Sequence, residues 1–188
     1  RRQRQMCIRD RKNTLRRIKL EQNKQSDESY QQWIVENENW DAEAIKAEIA
    51  AFDYQPVISI LMPVYNVEEK WLEKCIESVQ NQFYPNWELC MADDHSTDES
   101  VRPLLEKYAA QDSRIKNVFR SENGHISKAT NSALEIATGE FVALLDNDDE
   151  LAPIALYEVT KRLNENANLD LIYSCLLYTS PSPRDYAA

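Results

Sequence analysis

The chain has 188 residues, with 22 lysines and arginines against 32 aspartates and glutamates, and a formal net charge of −10. That acidic balance argues against a nucleic-acid groove, which needs a basic stripe. No apolar run approaches the roughly 20 residues of a membrane-crossing helix, and the length suits one domain plus an appendage.

The two ends do not read like the middle. Residues 6–10, MCIRD, can be encoded by a stretch whose reverse complement, shifted by one base, encodes CLLYT at residues 175–179. Independent segments have no reason to encode each other's complement, and both arms resemble translated transposase-type sequencing adaptors. Residues 1–11 and 175–188 are therefore expected to be artefacts that contribute nothing to the fold. Cys7 and Cys175 go with them. Cys75 and Cys90 remain, both in apolar patterns without CxxC or histidine spacing, which reads as reduced, buried thiols of a cytosolic protein.

Residues 12–55 read as a helical appendage, polar with sparse apolar contacts from Tyr30, Trp33, Ile34, Trp40, Ile45, Ile49 and Phe52. Asp41 is an expected N-cap for a helix over 42–51, and Pro56 marks the passage into a second unit, 56–174.

From there strand and helix patterns alternate. Residues 57–62 form a β-rich run ended by Pro63, and Trp71, Leu72, Cys75, Ile76 and Val79 recur at helical spacing. Residues 87–92 read as a second strand, and Val101, Leu104, Leu105 and Tyr108 as the face of a helix opened by the capping pattern Ser96-Thr97-Asp98-Glu99. A third strand spans 115–119. Ile126, Ala129, Ala133, Leu134 and Ala137 mark a helix ended by Gly139 as C-cap, with a fourth strand over 141–145. Pro153 opens a last helix at its first position, and 169–173 reads as a fifth strand. Trp71 and Trp87 read as core. The alternation predicts an α/β fold with a mostly parallel sheet covered on both faces.

Two acidic clusters, DDHSTD at 93–98 and DNDD at 146–149, follow directly on predicted strands. Stacked carboxylates at a strand exit repel unless a cation or hydrogen-bond donors compensate, and ligands of open α/β sheets bind outside the carboxyl ends of the strands. The clusters are therefore expected to face one shared ligand.

These clusters belong to four ordered motifs: PVYN at 63–66, ADDHSTD at 92–98, ENGHISKATNSAL at 122–134 and ATGEFVALLDNDDEL at 137–151. Together they resemble the family 2 inverting glycosyltransferases of the GT-A fold, a Rossmann-like α/β architecture, and the helical lead-in is similar to that of bacterial polysaccharide-assembly members. The resemblance implies transfer of a sugar, with inversion, from a nucleotide-diphosphate donor to a saccharide or lipid-linked acceptor.

By the family pattern, Asp94 accepts a hydrogen bond from a base N3–H, which uracil and thymine carry and cytosine does not, so a UDP- or dTDP-sugar is expected. Pro63 and Tyr65 would form the floor and wall of the base pocket, where an aromatic ring can stack. Asp148 is the expected contact to Mn²⁺ or Mg²⁺, with Asp146 reaching the ribose or a metal-bound water. Such hard cations take oxygen ligands and neutralise a departing diphosphate.

Arg120, Asn123 and Gly124 lie where the family's chain passes close to the donor, and Gly124 permits tight backbone approach. Asp93 is balanced between capping the following turn and touching the nucleotide. Ser96, Thr97 and Asp98 read as a helix start, His125 as a turn residue. The family's general base comes from the segment after the fifth strand, which the adaptor-like end replaces, so this fragment is expected to keep the donor half and to transfer little.

A nucleotidyltransferase and a non-catalytic nucleotide-sugar-binding module remain alternatives, although PVYN offers neither the glycine nor the lysine of a phosphate loop. A cytoplasmic location without nucleic-acid partners is expected. Peripheral association of the full-length protein with the inner face of the membrane stays open.

Overall fold

The computed structural model describes residues 40–172. The expected contacts of Tyr30, Trp33 and Ile34, and both adaptor-like ends, lie outside them. The element order is helix α1 (Ala42–Ala50), strand β1 (Ile58–Val64), α2 (Glu69–Gln80), β2 (Trp87–Asp93), α3 (Val101–Gln111), β3 (Ile115–Phe119), α4 (His125–Glu135), β4 (Phe141–Leu144) and α5 (Ala155–Glu165). All strand pairs are parallel and the sheet order is β3-β2-β1-β4. The expected α/β fold is therefore present. No helix among the described residues is long and apolar enough to cross a membrane.

Alternation along the strands sends successive side chains to opposite faces, and the two faces are filled differently. Ile58, Ile60, Met62 and Val64 of β1 join Trp87, Leu89 and Met91 of β2 in one large cluster with Leu72, Cys75, Ile76, Val79, Leu104 and Leu105 from α2 and α3. Each such side chain, fully buried, contributes roughly 1.5–3 kcal/mol. The opposite face is thin: Leu61, Cys90 and Ala92 pack against Ala129 and Ala133 of α4. These small residues let α4 lie close to β1 and β2.

The thin face corrects two expectations. Ile126 and Leu134 were expected on the buried face of α4, but they are exposed, as are Val142 and Leu144 of β4. The helix seats itself through the two alanines, which leaves the flanking larger residues outside the contact. Trp71 is likewise not core. It is 42% exposed, with the ammonium groups of Lys70 and Lys74 at 4.9 and 5.3 Å from its ring centre. Trp87 is buried as expected, under the Arg114 guanidinium at 3.7 Å.

Several boundaries also move. β1 runs through Pro63 to Val64, where proline was expected to end it. The Pro63 carbonyl accepts from Asn147 Nδ2 at 3.0 Å on the β4 side, where the ladder has already ended at Leu61 and Leu144. In a parallel ladder a residue's N–H and C=O point to the same neighbour, so proline forfeits no ladder donor there. The last helix begins at Ala155 with Pro153 in the preceding turn, and residues 169–172 form no strand, Tyr173 lying outside the described residues.

Gly139 does not cap α4, whose C-cap is Ile136, and no glycine has positive φ. Its role is close approach. A Cβ there would sit 2.5 Å from Ser59 Oγ and 2.6 Å from the Val57 carbonyl oxygen, and its N–H donates to Ser59 Oγ at 2.8 Å.

Helix α1 begins directly after Asp41 and packs on α5. Phe52 stacks on Tyr157 with ring centres 6.1 Å apart, while the Tyr157 hydroxyl donates to Glu48 at 2.7 Å and Lys161 pairs with Glu48 at 2.8 Å.

Candidate functional site

At the carboxyl ends of β1, β2 and β4 a cavity of about 370 Å³ opens between the strand exits and the start of α4. Pro63, Tyr65, Asp94, Asn123, Asp146 and Asp148 all line it. The two acidic clusters therefore face one space. Arg120 and Gly124, the remaining expected site residues, stand behind Asp94 and hold it.

The Asp94 carboxylate is 2% exposed. Its Oδ1 accepts from Arg120 Nε at 2.7 Å and from the Gly124 N–H at 2.9 Å, and the same N–H lies 3.0 Å from Oδ2. Arg120 is itself fixed, because Nη1 donates to the Lys128 carbonyl at 3.1 Å and to Ser132 Oγ at 2.6 Å. Asn123 Nδ2 donates to the Asp94 carbonyl at 3.2 Å. Burying a carboxylate this deeply is costly without such partners. Oδ2, with its single shared donor, keeps acceptor capacity, and Asp94 lines the cavity.

Gly124 earns its place at this junction through space. A Cβ would lie 2.7 Å from Arg120 Nη2 and 2.6 Å from Lys128 Cδ, against the very side chain that pairs with Asp94.

Asp93 takes the turn-capping role: its Oδ1 accepts from the Ser96 N–H at 3.2 Å. The expected helix start at residues 96–99 is not one. α3 begins at Val101, and Asp98 Oδ1 accepts from the Ser100 N–H at 2.9 Å and its hydroxyl at 2.8 Å. The Thr97 and Asp98 N–H groups, which would have been the free donors of a helix start, are used by Asn66 instead.

Asp146 and Asp148 are exposed, and no ion pair within the described residues involves either. The Asp149 N–H donates to the Asp146 carbonyl at 3.2 Å, which turns the chain so that both side chains reach the same cavity. No group of three histidine, cysteine or acidic side chains converges among the described residues. Two hard oxygen donors on an open cavity nonetheless fit a Mg²⁺ or Mn²⁺ that completes its shell with water and ligand phosphates.

Beneath this cluster Cys75 Sγ donates to the Asp146 carbonyl at 3.4 Å. Burial first, and then the charges of Asp149, Asp148, Glu150 and Asp146, push its thiol up to about 12. A neutral thiol is thus held below the acidic turn, and Cys75 and Cys90 are both free and buried, as expected.

Four lining residues were not expected at the site from the sequence: Val64, Asn147, Ile126 and Ala129. Asn147, the second residue of the second acidic cluster, ties that turn to β1 through Pro63. His125, expected as a turn residue, is instead the first residue of α4, with φ 61°, and also borders the cavity.

The family model for "Glycosyl transferase family 2" matches residues 59–186. The O-antigen biosynthesis protein RfbC of Myxococcus xanthus is 32% identical over 145 residues, 77% of this chain and 11% of that protein. The crystal structure of S. aureus TarS 1-349 in complex with UDP-GlcNAc aligns at a TM-score of 0.53 with 31% identity, over 58% of this chain and 32% of that one. The mannosyltransferase PcManGT from Pyrobaculum calidifontis, in complex with GDP-Man and Mn²⁺, aligns at 0.53 with 25% identity, over 65% and 44%. The chain thus spans less than half the length of each of these relatives.

Proposed function

This chain belongs to glycosyl transferase family 2, and from that premise we propose that its cavity binds a nucleotide-diphosphate sugar, UDP- or dTDP-linked, for transfer of the sugar with inversion. The observation that carries this reading is the gathering of Tyr65, Asp94, Asp146 and Asp148 on one cavity. Its two ends differ in chemistry as the two ends of such a donor do.

At the base end, the half-exposed ring of Tyr65 offers a stacking surface and Oδ2 of Asp94 an acceptor for a base N–H. Arg120 and Gly124 hold that carboxylate in place. At the other end, Asp146 and Asp148 are the residues that would hold a divalent ion. Such an ion, when bound, supplies positive charge to the leaving diphosphate. Inversion requires a single in-line displacement: the acceptor hydroxyl oxygen bonds to the anomeric carbon as the bond to the diphosphate breaks, and a general base takes the hydroxyl proton. Donor binding is the step that the described residues account for. A saccharide or lipid-linked hydroxyl is the proposed acceptor.

Support comes from the two solved neighbours, whose complexes hold a nucleotide sugar and, in one, Mn²⁺. Calorimetric titration of the 188-residue chain with UDP, CDP and GDP, with and without Mn²⁺, tests the reading. UDP should bind tightest and only with Mn²⁺, and Asp148→Ala should weaken it about a hundredfold. Metal-independent binding, or a preference for CDP, would refute it.

A further inference from the structure

Among the described residues three non-glycine residues have left-handed backbones: Asn66 after β1 (φ 47°), His95 after β2 (φ 62°) and His125, which lines the cavity at the start of α4 (φ 61°). Such conformations are costly for most side chains and persist where the surroundings enforce them. Asparagine tolerates this one best. At Asn66 the reason for the turn is visible. Val64 and Val67 are both buried, so the two residues between them must loop out and return within a few ångströms, which leaves Tyr65 projecting.

The Asn66 side chain closes that loop on its neighbour. Oδ1 accepts from the Thr97 N–H at 2.8 Å and the Asp98 N–H at 3.1 Å, with the Thr97 hydroxyl at 3.4 Å. Nδ2 donates to Thr97 Oγ1 at 3.2 Å, and the Asn66 N–H donates to Ser96 Oγ at 3.0 Å. Ser96 is in turn held by Asp93. On the far side of Tyr65 the Asp94 N–H donates to the Val64 carbonyl at 2.9 Å. Tyr65 therefore sits between two sets of bonds to the segment that carries Asp94.

We infer that Asn66 is a positioning residue for the base end of the cavity: it clamps the β2 exit to the β1 exit and so fixes the spacing between the Tyr65 ring and the Asp94 carboxylate. The inference rests on the nucleotide reading of the cavity. It touches neither Asp146 nor Asp148, so the diphosphate end is independent of it. Fixed spacing matters because a base must stack on one wall and hydrogen-bond the other at once, and ordering a loose loop on binding weakens affinity.

The test separates the two ends in the 188-residue chain. Glycine keeps the left-handed backbone and removes the clamp, so Asn66→Gly is titrated with UDP and with inorganic pyrophosphate, both with Mn²⁺. UDP should bind about tenfold more weakly and pyrophosphate within about twofold of wild type, with a nearly unchanged melting temperature. Ser96→Ala, which loosens the clamp from the other loop, should weaken UDP about threefold, again sparing pyrophosphate. Unchanged UDP affinity in Asn66→Gly, or equal losses for both ligands, would overturn the clamp. A wild-type chain that binds pyrophosphate with Mn²⁺ but not UDP would overturn the nucleotide reading itself, and this inference with it.

Discussion

Glu88 and Asp94 lie six residues apart on the same side of the β2 segment, at its two ends, and are treated in opposite ways. At the entry, Glu88 takes five donors: Ser59 Oγ, the Thr138 and Gly139 N–H groups, the Thr138 hydroxyl and Lys116 Nζ at 2.6 Å. Both oxygens are saturated and nothing is left for a ligand. At the exit, Asp94 takes Arg120 and one shared N–H and lines a cavity that two exposed carboxylates, those of Asp146 and Asp148, also line. One end of the sheet uses charge to lock four strands together. The other leaves Asp146 and Asp148 without an ion pair among the described residues and Asp94 Oδ2 with one shared donor, which a cationic or N–H-bearing ligand can complete.

The largest effect should come from breaking the locked end. Glu88→Ala strands Lys116, Ser59 and the Thr138–Gly139 turn, and should destabilise the chain by about 3–5 kcal/mol in denaturant unfolding. The same lock predicts an acid limit. Burial pushes the Glu88 carboxyl up, but Lys116, Ser59 and Thr138 outweigh it and bring the group down to about 2. Because the folded value lies below the ordinary one, this contribution is fully present above the ordinary carboxylate value and is lost as pH falls through about 2. It amounts to about 3 kcal/mol and is measurable as the pH dependence of the melting temperature, flattened in Glu88→Gln.

Effects at the open end should appear in binding rather than stability. Tyr65→Ala should weaken UDP about tenfold through lost stacking while the melting temperature holds, read by the same titration. The smallest effect belongs to the thin face. Leu144 is 73% exposed, so Leu144→Ser should change stability by less than about 0.5 kcal/mol, whereas Leu72→Ala in the thick core should cost about 2–5 kcal/mol. Equal costs for the two would mean that the two faces are filled alike.

The strands and helices were legible because their apolar residues repeat locally: ISILM in β1 and the spacing of Leu72, Cys75, Ile76 and Val79 in α2 need no knowledge of neighbours. The cavity residues were legible through the ordered motifs, and six of the eight line one space. What local pattern could not supply was the partner of each group. Ser96 to Glu99 has the letters of a capping box, but Asn66, about thirty residues away in sequence, takes the donors such a box would use. Gly139 stands where a cap glycine would, yet its missing side chain makes room for Ser59 on a strand eighty residues earlier. Leu134 and Ile126 have helical spacing but too little sheet beneath them. Pro63 continues a strand because the neighbouring strand has already stopped.

The account turns on two chemically distinct ends of one cavity, and crystals grown with UDP and Mn²⁺ test it most directly. Anomalous scattering should place Mn²⁺ at the Asp146 and Asp148 carboxylates, bridging to the diphosphate, with the uracil ring on Tyr65 and its N3–H at Asp94. Manganese elsewhere, or a base lying away from Tyr65 and Asp94, would contradict it.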